Sequence, residues 1–330
     1  MAHEIDMTNG RANMAYAGET PWHGLGQKLT YGSNIEVWKK EAGMDWTVEE
    51  SELMFKGKST TNVFPDRRVL YRSDNDSALS VVSGKYQIVH PGEALDFFRD
   101  LVAAYGFELE TAGCLFGGRK YWAMAKIGKG VQIKGVDEVT PYLLMATSCD
   151  GSMATAVHAT TVRTVCNNTL RMAIGENAQA AQIKVSHSVI FDPQSIKSQL
   201  GLLNGAWTEF VDNATKLAGI KLDRDFAIDL VASELKKEWK RQDGSEMTSE
   251  EMLDASNVLR RIVRLYDGEA MGGDIGITKG TAWGLVNAVT EFFDHEAGGR
   301  KERSRTFERA HLTDRAALKV NVANRLLQLA

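Results

Sequence analysis

Cysteine, proline and long apolar runs are all scarce in this chain, and each scarcity removes a class of protein. Three cysteines, Cys114, Cys149 and Cys166, in 330 residues and without a CxxC pair are too few and too scattered for a disulfide framework, which fits a reducing compartment. No run of roughly 18 uncharged apolar residues occurs, so no membrane partner is expected. Met1-Ala2-His3-Glu4-Ile5-Asp6 has neither the basic nor the apolar region of a signal peptide, and a cytoplasmic chain is expected. P-loop, dinucleotide and HExxH motifs are absent, so no nucleotide cofactor or metal centre is expected. Net charge is only −4, which excludes wholesale attraction to nucleic acid and leaves any such contact to a local patch.

That patch is visible in the charge distribution. Residues 111–191 carry 8 basic against 4 acidic side chains, whereas residues 1–110 carry 11 against 17. Within the basic segment, 111–136 holds Arg119, Lys120, Lys126, Lys129 and Lys134 with no Asp or Glu. A second excess, 8 against 3, falls in 300–330. A solvated face is the plain alternative for either run.

Proline divides the chain. All five prolines lie in the first 193 residues, and since proline breaks helix interiors, the remainder is free to form long helices. Ile196, Leu200, Leu203, Trp207, Val211, Ala214 and Leu217 recur at helical spacing after Pro193. A Thr248-x-x-Glu251 capping box precedes Met252, Leu259, Ile262, Val263 and Tyr266 on one helical face. Trp283, Val286, Val289 and Phe293 make a third face, and Leu318, Val322, Leu326 and Leu329 a fourth. Exposed loops are expected from Tyr266 to Gly280 and at Gly298-Gly299.

The first part reads as α+β. Pro91 opens a helix carrying Leu95, Phe98, Leu101, Val102 and Tyr105, which Gly106 ends. Strands are expected over Phe107–Cys114, Arg119–Ile127, Pro141–Ser148 and Met153–Thr160, the first pair joined by Leu115-Phe116-Gly117-Gly118 and the second by a tight Asp150-Gly151 turn. Val162, Val165, Cys166, Thr169 and Ala173 then follow helical spacing, with Thr160 or Thr161 as N-cap. The expected architecture is an antiparallel, hairpin-rich sheet with packed helices over residues 1–192 (core about 79–175), followed by a helical bundle over 193–330.

The stretch Leu143-Leu144 … Asp150-Gly151-Ser152 … Val162-Arg163-x-Val165-Cys166-x-Asn168-Thr169-Leu170 resembles the signature of the phage/plasmid-like family known as domain of unknown function 932. Met1-Ala2-His3-Glu4-Ile5 … Glu19-Thr20-Pro21-Trp22-His23-Gly24-Leu25-Gly26 and Gly280-Thr281-Ala282-Trp283-x-x-x-Asn287-Ala288-Val289-Thr290-Glu291-Phe292 … Asp294-His295 resemble its full-length members. The resemblance implies a phage, plasmid or bacterial origin, often near replication and recombination genes. It brings no catalytic residues. Two hairpins followed by a helix are also similar in outline to the β-β-β-α core of single-strand annealing proteins, a fold-level analogy.

From the residues, Lys120, Trp122 and Lys126 alternate onto one face of a strand. Cations beside an aromatic platform suit sequence-tolerant binding of single strands, and Lys129 and Lys134 extend the face. Arg163, Asn167 and Asn168 would meet a phosphate at the start of the expected helix. The plain alternatives are that Trp122 is a core aromatic with the lysines on its rim, and that Arg163 and Asn168 lock the neighbouring turn. His158 reads as a core histidine, the cysteine and histidine spacing matches no metal pattern, and Cys149 and Ser152 have no local base. The expectation is therefore a non-catalytic, homo-oligomeric single-stranded DNA-binding or annealing-type protein of recombination or replication. The alternative is an interaction or structural protein of a mobile element, acting on a host or phage protein without binding nucleic acid.

Overall fold

A computed structural model describes residues 5–18, 20–21, 24–163, 168–171, 182–195, 203–235, 237–297 and 314–329. In chain order the strands are β1 (Met7–Thr8), β2 (Arg11–Ala12), β3 (Met14–Ala17), β4 (Gln27–Leu29), β5 (Val48–Lys56), β6 (Thr61–Arg72), β7 (Ala78–Ser83), β8 (Glu108–Leu115), β9 (Lys120–Lys126), β10 (Val131–Ile133), β11 (Asp137–Ser148), β12 (Thr155–Arg163), β13 (Asn168–Arg171) and β14 (Gln182–Val185). The helices are α1 (Ile35–Glu41), α2 (Pro91–Tyr105), α3 (Leu203–Leu217), α4 (Arg224–Glu234), α5 (Ser249–Ala255), α6 (Asn257–Arg264), α7 (Ala282–Glu291) and α8 (Asp314–Leu327). Single π-helical turns follow α6 at Leu265–Glu269 and α7 at Phe292–Glu296.

The main sheet runs β13-β12-β11-β9-β8-β3-β4, with β10 also paired to β11 and β14 to β12. Its pairings are antiparallel except β3 with β4. Strand β11 is buried along nearly its whole length, because both faces of the sheet are covered. On one face Tyr121, Ala123, Ala125, Leu143, Met145, Val157 and Ala159 join a core that continues into α2, α4, α7 and α8. On the other, Trp122, Leu144 and Ala146 pack with Met14 and Leu115, and Ile5 and Phe116 close the rim. A strand buried on both sides reads as a near-continuous apolar run, which Tyr142–Ala146 is.

Helix α2 forms as its sequence predicts. Glu93 accepts from the His90 backbone N–H at 2.6 Å, and Gly106 closes the helix at φ 68°. The Thr248 and Glu251 capping box is present, but the single long helix expected behind it is two. Ser256 takes up extended backbone and caps α6 afresh, its Oγ accepting from Leu259 N at 3.2 Å. The π-helical turn after α6 ends the helical face at Tyr266, and turns follow to Gly280, where the sequence predicts a loop. Of the helix expected from Ile196, the described part is α3; residues 196–202 and Gly298-Gly299 lie outside the described residues.

The helix expected after the second hairpin is corrected. Thr160 and Thr161, expected as N-caps, lie inside β12 opposite Tyr142 and Pro141, and Asn168–Arg171 returns as strand β13 against Arg163–Thr160. β-Branched Val162 and Thr169 suit a pleated strand at least as well as a helix, and pairing to a buried neighbour decides between them. Residues 164–167 lie outside the described residues. The Asp150-Gly151 turn is in place, with Gly151 at φ 72° and Asp150 Oδ1 accepting from Ser152 N at 2.9 Å, yet it is wider than a two-residue hairpin. Register ends at Ala146 with Ala156, and Ser148 Oγ braces the loop through Met153 O and N at 3.0 and 3.2 Å.

A separate sheet, β5-β6-β7, has no counterpart among the sequence-based expectations. Its base is anchored by buried Arg72, whose guanidinium lies 4.2 Å from the Trp46 ring centroid and binds Asp74 through two hydrogen bonds of 2.9 and 2.7 Å. Its far end projects from the protein with both faces exposed.

Two buried contacts join the layers. Trp283 of α7 donates its indole N–H to Asp137 Oδ2 at 2.8 Å, where β11 begins. Lys319 of α8 meets Asp294 at 2.7 Å with both side chains buried. Trp283→Phe keeps the ring and removes the donor from a buried carboxylate, so a loss of about 1–3 kcal/mol is expected by chemical denaturation.

His187 adds a pH dependence. Its ring stacks on Tyr86 with centroids 4.4 Å apart, and Nδ1–H donates to Gln87 O at 2.8 Å. Burial holds its pKa below the ordinary value of 6.5. The unfolded chain therefore takes up a proton before the folded one, and stability present above about pH 6.5 is lost as pH falls below it. The urea midpoint should fall between about pH 7 and about pH 5, and fall less in His187→Phe.

Candidate nucleic-acid interface

Strand register decides which of the basic candidates meet. Lys120, Trp122 and Lys126 share one face of β9, as alternation requires, but that face does not form an open groove. Trp122 is 3% exposed and sits among Met14, Leu115, Leu144 and Ala146, with its indole N–H directed at Thr111 Oγ1, 3.4 Å away. Gly113 makes room for it, since a Cβ there would lie 2.6 Å from the Trp122 ring and 2.7 Å from Asn13 O. The ring has no open face for a base, so its reading as a stacking platform is corrected to the core aromatic. Lys120 is also buried, its ammonium 5.3 Å from the Phe116 ring centroid. Its packing is that of a cation over an aromatic ring.

Arg119 and Lys120 stand at one end of β9, and Lys126 at the other. Six steps of about 3.3 Å place them roughly 20 Å apart, too far for one phosphate. Arg119 is exposed, and its Nε donates to Phe116 O at 2.8 Å. At the Lys126 end, in contrast, several candidates converge. Lys126 lies opposite Tyr142, Lys129 is exposed in the connection to β10, and Lys134 is exposed in the turn between β10 and β11. β10 pairs with Asp137–Val139, and Val139 in turn lies opposite Arg163, the last residue of β12. Arg163 is opposite Asn168, which opens β13. Backbone register thus sets Lys126, Lys129, Lys134, Arg163 and Asn168 at one end of the sheet, with Arg163 and Asn168 on the Val139 face and Lys126 on the opposite one, whereas Asn167 lies outside the described residues.

The same end is where the helices dock. α3 packs on β10, α7 and α8 pack on β13, and the Asp137 to Trp283 hydrogen bond sits at the head of β11. Carboxylates temper the charge there: Glu108 stands opposite Lys126, Glu138 lies beside Gly130, and Tyr142 donates to Glu110 at 2.9 Å.

Covalent chemistry finds no support among the described residues. Burial pushes the thiol of Cys149 up to about 12 and that of Cys114 well above its ordinary value, so neither is a thiolate near neutrality. Cys166 and the Trp22-His23 pair lie outside the described residues. No group of three His, Cys, Asp or Glu side chains arranged for a metal ion occurs among the described residues. His158 is buried opposite Leu144, as expected of a core histidine. Among the described residues, no helix is long and apolar enough to cross a membrane.

One cavity, of about 460 Å³, has no motif in the sequence that announces it. It lies at the π-helical corner after α6, lined by Arg264, Asp267, Gly268, Glu269, Gly273, Asp274 and Lys279. Two of its three carboxylates are engaged, Asp267 by Arg224 at 3.0 Å and Glu269 by Arg261. The glycine-rich run from Gly268 to Gly276 is the available signal, and composition alone makes it no more than a loop.

The model of the family described as domain of unknown function (DUF932) matches residues 78–316, well over half of the chain, and the chain belongs to that family. The match takes in the main sheet from β8 onward and the helices through α7; the opening segment and the β5 to β6 hairpin lie before it, and most of α8 lies after it. No curated protein and no solved structure matches the chain.

The burial of Trp122 carries a direct expectation. Trp122→Ala should cost about 3–5 kcal/mol in chemical denaturation, as large-to-small changes at packed aromatics do. A stability loss near zero would mean that the ring is not a core element.

Proposed function

We propose that this member of the domain of unknown function 932 family is a non-catalytic single-stranded DNA-binding protein of the annealing type, phage- or plasmid-encoded and acting in recombination or replication. The observation that carries the reading is the cluster of basic residues at one end of the main sheet: Lys126 at a strand end, Lys129 and Lys134 in the flanking connections, and Arg163 with Asn168 at neighbouring strand ends on the opposite face. Cations at strand ends and turns neutralise successive phosphates, and an amide adds a hydrogen bond without reading sequence. Trp122 is withdrawn from the surface, so the contact is with the sugar-phosphate backbone and is tolerant of base identity. The preference for single strands is taken from the sequence-based analogy to annealing proteins and is not carried by the fold, since β13 stands where that outline has its helix. The buried thiols supply no thiolate nucleophile.

A second reading, a protein-interaction role within a mobile element, is favoured by the exposed apolar end of the β5 to β6 hairpin. Titration of labelled oligothymidylate followed by fluorescence anisotropy, at several chloride concentrations, separates the two. Lys126→Glu, Lys129→Glu and Lys134→Glu should each weaken binding and lower the slope of log K against log salt by about 0.7 for every phosphate no longer neutralised. Arg119→Glu, at the far end of β9, should leave both unchanged. Equal affinity in all three lysine variants, or absence of binding at low salt, would overturn the assignment and leave the interaction role.

A further inference from the structure

Strand β5 is the open edge of its sheet. The order β5-β6-β7 leaves its outer side unpaired, whereas β7 at the opposite edge is closed onto the core through buried Leu79 and Val82 and a 2.6 Å hydrogen bond from Ser80 Oγ to Cys149 O. β5 runs for nine residues without proline or glycine, and most of them are exposed. Long open edges of this kind are ordinarily blunted by a bulge, a proline or a covering segment, because their free N–H and C=O groups invite another strand. Here the irregularity falls on β6. Glu52 pairs with Arg68 and Met54 with Val63, so β6 absorbs the extra residues around Pro65 and Asp66 while β5 stays regular.

The far end of this hairpin also exposes apolar groups: Met54 at 56%, Phe55 at 49%, Val63 at 49% and Phe64 at 46%. Phe55 and Phe64 lie on one face with ring centroids 6.4 Å apart. Exposed apolar groups gathered beside an unpaired edge mark a contact surface.

The sequence of the edge says what it contacts. Glu50-Ser51-Glu52-Leu53-Met54-Phe55-Lys56-Gly57-Lys58 is antisymmetric in charge about Met54. We propose that β5 docks on β5 of a second copy of this chain, antiparallel, about a two-fold axis through Met54. In that register Glu52 meets Lys56, twice by symmetry, and Met54 meets Met54. All of these lie on one face of the joined strand pair. On the other face Leu53 meets Phe55, again twice, with Phe64 of each copy alongside. Opposed charges and apolar pairs directly across strands are the contacts that hold sheets together. An axis moved to Leu53 keeps one kind of charge pair, Glu50 with Lys56, but sets Glu52 against Met54 and Phe55 against Ser51, and an axis at Glu52 sets the two Glu52 carboxylates against each other. Charged and apolar residues are matched together only about Met54 among these three axes. Glu50 is engaged within its own chain by Arg68 of β6, which leaves Glu52 and Lys56 as the charges of the edge. An isologous contact of this type closes on itself and joins two three-stranded sheets into one of six strands.

Pairing through β5 is independent of nucleic-acid binding, since its readout is mass in the absence of DNA. Sedimentation of the full chain over a range of concentrations should show a two-chain species that dissociates on dilution. Glu52→Lys and Lys56→Glu each turn two attractive pairs into repulsive ones and should raise the dissociation constant by about tenfold or more. The double exchange, Glu52→Lys with Lys56→Glu, recreates the pairs and should restore the dimer, with circular dichroism confirming the fold of every variant. Met54→Cys places two thiols within disulfide reach across the axis and should give a covalent dimer under mild oxidation, whereas Ser51→Cys and the wild type should not. A single chain at every concentration would overturn the proposal. So would an oligomer indifferent to both single exchanges, a double exchange that fails to restore it, or Met54→Cys cross-linking no better than wild type. Single exchanges that abolish binding to oligonucleotide or anionic vesicles while leaving the mass unchanged would assign the arm to that ligand instead.

Discussion

Strand β11 loses water on both faces, and the rest of the protein is arranged around that requirement. Its backbone groups are satisfied laterally by β9 and β12, so what varies from position to position is the cover over the side chain. One face is served by a large core that runs through α2 into the C-terminal helices. The other has only a small cluster, and the amino-terminal strand β3 supplies Met14 to it. A central strand of this kind holds its register firmly, because a slip by one residue would exchange Leu143 and Met145 for Leu144 and Ala146 across unequal covers.

That arrangement explains where charge is found. The middle of the sheet cannot carry a bare cation, so the basic residues of the segment are pushed to strand ends and turns, or set over an aromatic ring as Lys120 is. Three charged groups buried inside are matched. Lys319 meets Asp294, and Asp137 receives the Trp283 indole N–H. Such pairs add little net stability, but they are intolerant of losing one member, and they fix how α7 and α8 sit on the sheet.

Much of the frame was legible in the sequence where local chemistry is decisive. Pro91 and Gly106 bound α2, Thr248 and Glu251 cap α5, and the glycines after Leu115 turn β8 into β9. What failed depended on partners distant in sequence. Val162 to Ala173 has spacing compatible with a helix, and only the neighbouring β12 shows that its described parts are strands. Ser256 is an ordinary polar residue in a helical stretch until the chain bends there. The β5 to β6 hairpin escaped notice because both its faces are wet, which removes the alternation that betrays a half-buried strand, and Pro65 reads as a breaker. For the candidate interface, alternation correctly placed Lys120, Trp122 and Lys126 on one face. It gave no information on what roofs that face, and this is what separates a groove from a core.

The contribution of Met14 has a consequence for where this protein ends as a folding unit. The family match begins at residue 78, yet β3 and β4 complete the main sheet and Met14 helps to enclose Trp122. A fragment trimmed to the matched boundary would leave β8 as a raw edge and uncover one wall of the smaller cluster. The evolutionary module and the cooperative unit are therefore different objects here, and the amino-terminal segment belongs to the second even though it lies outside the first.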